Sequence, residues 1–93
     1  MNRYLFSVKV EGMSMWPRLV PGWRYFATSL LSPRVGDTIV FRNPQNVAQI
    51  FVKKIIKREH DGYTVRGERP GSTGSGDIGV INKKLVIGKI VGP

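Results

Sequence analysis

The chain has 93 residues, a formal net charge of +9 from 15 Lys+Arg against 6 Asp+Glu, and 41% hydrophobic residues. This is the composition of a folded domain, not a disordered segment, and a chain this short buries about 60–65% of the surface its unfolded form exposes, so residues 1–93 are read as one domain with one shallow site. Without cysteine, and with His60 as the one histidine, it excludes thiol nucleophiles, disulfides, Cys-type zinc sites, iron–sulfur clusters and multi-His metal sites. In chain order, alternation of Leu5, Ser7 and Lys9 with Phe6, Val8 and Val10 predicts a strand over 4–11, ended by Gly12. Pro17 and Pro21-Gly22 break the next stretch into turns. Trp23 to Leu31 reads as a strand closed by Ser32-Pro33, and Gly36-Asp37 as a turn into a strand Thr38 to Arg42. Asn43-Pro44-Gln45-Asn46 is a hairpin turn. It leads into Ala48 to Arg58, the longest strand candidate and rich in β-branched residues. His60-Asp61-Gly62 turns into Tyr63 to Arg66. Residues 70–77 form a Gly/Ser loop, and Gly79 to Ile81 and Leu85 to Val91 are the last strands. Short strands with turns between them predict an all-β chain folded as a compact coiled sheet or barrel.

Chemistry is constrained by what is missing. A Ser-His-Asp triad needs a histidine beside the serine, and His60 lies in a polar Glu-His-Asp-Gly turn expected to be solvated. The six acidic residues show no pairing, and the 70–77 loop lacks the following helix of a phosphate-binding loop. Hydrolysis can also be run by a serine and a lysine held neutral. Because a free lysine has a pKa of about 10.4, its neutral form demands desolvation or a neighbouring cation. Ser14 lies in a turn after the first strand, between Met13 and Met15. Lys53 and Lys54 lie in an apolar strand, Lys53 sharing a face with Phe51 and Ile55, Lys54 with Val52 and Ile56. Periodicity does not choose between the two lysines, and both also suit snorkelling side chains on a half-buried strand.

Val10-Glu11-Gly12-Met13-Ser14-Met15-Trp16-Pro17-Arg18-Leu19, followed by Pro21-Gly22, resembles the serine box of the signal peptidase I and LexA-like serine–lysine peptidases. Arg34 to Pro44 resembles the second box of that family, and Phe51-Val52-Lys53-Lys54-Ile55-Ile56 its lysine box. Gly67-Glu68 with Ser72 to Val80 resembles its last box. The boxes stand in the family's order over about residues 8–91. The resemblance implies an all-β fold of the LexA/signal peptidase type, with Ser14 as nucleophile and Lys53 as general base. It implies Ser72 as the hydroxyl that orients the lysine, and an oxyanion hole of main-chain N–H groups at Ser14 and Gly12. Gly74 and Gly76 depart from it, standing where the family carries Asp and Arg, and Glu68 stands where it has Asp.

The resemblance further implies a protein or peptide precursor as partner, bound as an extended strand. Val8, Val10, Met13, Met15, Ile50, Phe51 and Val52 would flank it. No cofactor is implied. Cleavage in trans is expected, since no DNA-binding domain or cleavable linker precedes Ser14. Size and the lack of an anchor resemble the maturation proteases of nickel-type superoxide dismutase, which remove a propeptide. No apolar run approaches the roughly 18 residues of a membrane span. The N-terminal stretch, broken by Lys9, does not read as a signal peptide. A cytoplasmic location is therefore expected, with peripheral membrane contact at Met13 to Trp16 left open. Two other classes remain: a catalytically inactive peptide-binding domain, and a basic nucleic-acid-binding β-domain suggested by the charge. The placing of Phe6, Phe41 and Phe51 suits a core and argues against nucleic acid. Trp23, Tyr25 and Phe26 are expected as core or edge residues. Arg18, Arg24, Arg42, Lys83, Lys84 and Lys89 are expected as a solvated basic surface.

Overall fold

The computed structural model describes residues 4–12, 15–67 and 79–92. Seven strands form one antiparallel sheet: β1 (Leu5–Lys9), β2 (Arg24–Thr28), β3 (Thr38–Asn43), β4 (Asn46–Arg58), β5 (Gly62–Arg66), β6 (Ile81–Asn82) and β7 (Val86–Val91). Their spatial order is β1-β2-β7-β3-β4-β5-β6. The expected all-β class is what the chain adopts, with a 3-10 turn at Lys83–Leu85 as the one helical element among the described residues. None of these contains a helix long and apolar enough to cross a membrane.

Several strand ends differ from expectation, each for a local reason. β1 stops at Lys9, because the chain turns at Gly12, whose φ of +76° disfavours a side chain. β2 is shorter than 23–31, and Leu30 and Leu31 lie in an exposed connection ahead of Pro33. β4 begins two residues early because the hairpin is tight: Asn43 Oδ1 accepts from Gln45 N at 3.0 Å. Leu85 falls in the 3-10 turn, capped where Lys84 N donates to Asn82 Oδ1 at 2.9 Å.

Register sorts the side chains onto two faces. Directly opposed residues of antiparallel strands share a face, and Val8, Tyr25, Val40 and Val52 fall on one. With Val10, Met15, Leu19 and Ile90, several of these form an apolar cluster, which the connection between β1 and β2 helps to build. The opposite face carries Ile39, Phe41, Ile55, Tyr63, Val65 and Ile81, with Phe51, Leu85 and Val86 packed against them. Phe41 is fully buried and meets Phe51 edge to face at a centroid distance of 6.0 Å. Its truncation to alanine would cost about 3–5 kcal/mol. Gly88 lets β7 and β2 approach: a Cβ there would lie 2.7 Å from the Thr28 carbonyl oxygen.

Candidate active site

Lys53 is the chemically unusual residue of the sheet. It is 3% exposed, opposite Ile39 across the β3–β4 ladder and between Phe51 and Ile55 on its own face. Its Nζ lies 5.7 Å from the centre of the Phe51 ring. Burial pushes its pKa down, because an ammonium loses hydration that apolar neighbours cannot replace. Lys54 points to the other face and is only half-buried. Burial, not periodicity, separates the two lysines.

A clamp fixes β4 just beyond Lys53. Ile55 N donates to the Asp37 carbonyl at 2.8 Å, and Gly36 N donates to the Ile55 carbonyl at 2.9 Å. The turn is closed on itself by Asp37 N donating to the Arg34 carbonyl and Arg34 N donating to Asp37 Oδ2. Lys89 Nζ of β7 reaches the same carboxylate oxygen at 3.0 Å. Burial alone would raise the Asp37 pKa. The Arg34 N–H and the hydrogen bond and charge of Lys89 outweigh it and hold the carboxyl below the usual range.

Beside Lys53 runs a groove of about 630 Å³. One wall is Val8, Lys9, Val10, Glu11 and Gly12; the other is Ala48 to Val52, with Met15 also lining it. Among the described residues β1 pairs with β2 alone, so its second edge faces the groove. Among the described residues the first half of β4 likewise pairs only with β3, since β5 joins it from Lys54 onward. Two unpaired strand edges thus flank one slot, the arrangement that accepts an extended peptide by strand addition. Val52 ends the second wall, and Lys53 is the next residue.

Of the residues singled out in the sequence, Val8, Val10, Gly12, Met15, Ile50, Phe51 and Val52 line this groove, with Lys53 adjoining. Ser14, Met13, Ser72, Glu68, Gly74 and Gly76 lie outside the described residues. Lys9, Glu11 and Gln49 also line it, within the stretches of about 8–13 and 49–53 that the resemblance implies as flanking the peptide, whereas Ala48 lies one residue outside them. Sequence reasoning misread Lys89. Its side chain is 15% exposed, not solvated, because Asp37 lies against it from 52 residues away. Trp23 and Phe26, expected as core or edge residues, are each 62% exposed; they lie on opposite faces, and β2 is an interior strand of the sheet. His60 is open to solvent as expected, its side chain 96% exposed.

The family described as signal peptidase, peptidase S26, matches residues 2–62, a span that holds both groove walls and Lys53. No curated protein matches the chain in sequence. On that match, over more than half its length, the chain belongs to the signal peptidase, peptidase S26, family of peptidases.

Proposed function

We propose that the chain is a serine endopeptidase that uses Ser14 and Lys53 to cleave a protein precursor in trans. The observation that carries this reading is Lys53, buried among apolar side chains and next in the chain to Val52, the last residue of a groove wall, between two strand edges that are unpaired among the described residues. A lysine is destabilising there unless its neutral form is used. In the proposed reaction the unprotonated Lys53 amine takes the Ser14 hydroxyl proton as Oγ attacks the scissile carbonyl. Main-chain N–H groups at Ser14 and Gly12 hold the oxyanion, and Ser72 orients the amine. The lysine then passes its proton to the leaving amine. It next takes a proton from the water that hydrolyses the acyl-enzyme. The propeptide of nickel superoxide dismutase, which the resemblance brings forward, is the first substrate to try.

The test is incubation with that precursor and with a mixed peptide library, read by intact mass. Wild type should cleave, and Ser14→Ala and Lys53→Ala should not. Cleavage that survives Ser14→Ala would overturn the reading; peptide retention without cleavage by wild type would make the chain a binding domain. Cleavage of library peptides but not of the precursor would remove the dismutase alone.

One observation favours a second reading. Phe26 and Arg24 are exposed on one face of β2, and Trp23 and Trp16 are exposed close in sequence to Arg24 and Arg18, the pairing of aromatic and basic side chains that single-stranded nucleic acid uses. Binding of a single-stranded oligonucleotide that falls steeply with salt, and is lost in Trp23→Ala, would support it.

A further inference from the structure

The groove is not electrically uniform. Lys9 stands opposite Arg24 across the β1–β2 ladder, so the two cations share one face and one row. Both are exposed, Lys9 lines the groove, and Arg24 Nη1 donates only weakly to Ser7 Oγ at 3.4 Å. Neither has an acidic partner among the described residues. The walls of the opposite face are apolar: Val10 and Val52 join Met15 in the cluster beneath the groove, and Val8 lines it on the same face. A strand laid along the free edge of β1 must alternate its side chains between these two environments. Those on the Val8 and Val10 side meet hydrocarbon. The one beside Lys9 completes a row that already holds two positive charges.

We infer that Lys9, backed by Arg24, is a specificity-determining residue that selects an acidic side chain at one position of the bound strand, between neighbours that are apolar. Glu11, which lines the same wall two residues on, sets the register by disfavouring a second acid there. The preferred substrate is therefore a segment with one acid in register, not a generally acidic one. This rests on the reading of the groove as a peptide site. The contribution is that of a cross-strand ion pair, about two- to fivefold in selectivity.

The experiment uses immobilised Ser14→Ala protein, with and without Lys9→Glu, and a library of random nonapeptides at low salt. Retained peptides are sequenced by mass spectrometry. Lys9 is exposed and its replacement leaves the fold intact, which circular dichroism checks. The expected result is about two- to fivefold enrichment of Asp and Glu at one position flanked by apolar residues. In Lys9→Glu the same position should turn to Lys and Arg. The preference should weaken in high salt. Acids enriched equally at all positions would mean general attraction to a +9 protein and would overturn the inference. So would a preference unchanged by Lys9→Glu, or no retained peptide. Cleavage of the retained peptides by wild type, compared with Lys53→Ala, tests the catalytic reading separately: its failure with selectivity intact would remove the peptidase chemistry and leave the subsite.

Discussion

Ile39 lies between two lysines. In the ladders it opposes Lys53 of β4 on one side and Lys89 of β7 on the other. Both lysines are well shielded from solvent, yet they meet opposite surroundings. Lys89 reaches a carboxylate at 3.0 Å, and its charge is answered. Lys53 meets Phe51, Ile55 and Ile39, and its pKa is driven down. One residue type in one row of one sheet is a structural tie on one side and a candidate base on the other. Burial alone does not make a lysine chemically useful; burial without a counter-charge does, and among the described residues none stands beside Lys53.

The contrast can be broken most severely at Lys53. Lys53→Ala should lower kcat/KM by about 10²–10⁴-fold with the fold retained, the range for removal of a general base. In wild type the rate should climb with pH through a pKa below the usual lysine value. A rate flat from pH 5 to pH 10 would remove Lys53 from the reaction.

Next in size is the paired side. Asp37→Ala leaves Lys89 without its partner and frees the turn that holds Ile55, at a cost of about 2 kcal/mol. At about 4–8 °C per kcal/mol, Tm should drop by roughly 8–16 °C. Because the folded pKa of Asp37 is depressed, its contribution is present above the unfolded value of about 3.9 and is lost as pH falls through the folded one. The gap in Tm between wild type and Asp37→Ala should therefore narrow in acid.

A smaller effect of opposite sign sharpens the comparison. Lys53→Met should stabilise the protein by about 1 kcal/mol near neutral pH, since it removes a poorly solvated ammonium. The wild-type fold bears that penalty in full below its lowered lysine pKa and sheds it as pH rises toward the unfolded value of about 10.4. The advantage of Lys53→Met should shrink over that window, as thermal melts at several pH values would show. The smallest change is expected for Lys54→Ala. On the other face and half-buried, it should alter kcat/KM by less than about threefold. A loss as large as that of Lys53→Ala would mean the base is Lys54.

The order of strands along the chain was legible because alternation is a local signal, visible in Leu5 to Lys9 and in Ile50 to Ile56. Alternation did not choose between Lys53 and Lys54; the resemblance named Lys53, and the physical difference between them lies in burial. That burial depends on β5 and β6 covering one face of β4, and that cover comes from residues well downstream. Lys89 was misread for a similar reason. Its partner sits in a turn 52 residues earlier, and no pattern of spacing announces a pairing at that distance. Met15 and the groove walls, Lys9 and Gln49 among them, were marked by the resemblance, whereas the charge that Lys9 and Arg24 bring to one row became visible only from the β1–β2 register. Trp23 and Phe26 show the limit in the other direction: large aromatics predict a core only if something covers them.

The slot has one more consequence. A free strand edge does not recognise a substrate as such; it offers N–H and C=O groups to whatever extended chain comes near, including another molecule of the same protein. Here the open edges carry exposed apolar side chains, Leu5 on β1 and Val47 and Ile50 on β4. The net charge of +9 then acts as a colloidal guard, keeping molecules apart while the slot stays open to small peptides. Raising the ionic strength lowers that guard, so light scattering should detect self-association in concentrated salt, and an occupying peptide should suppress it.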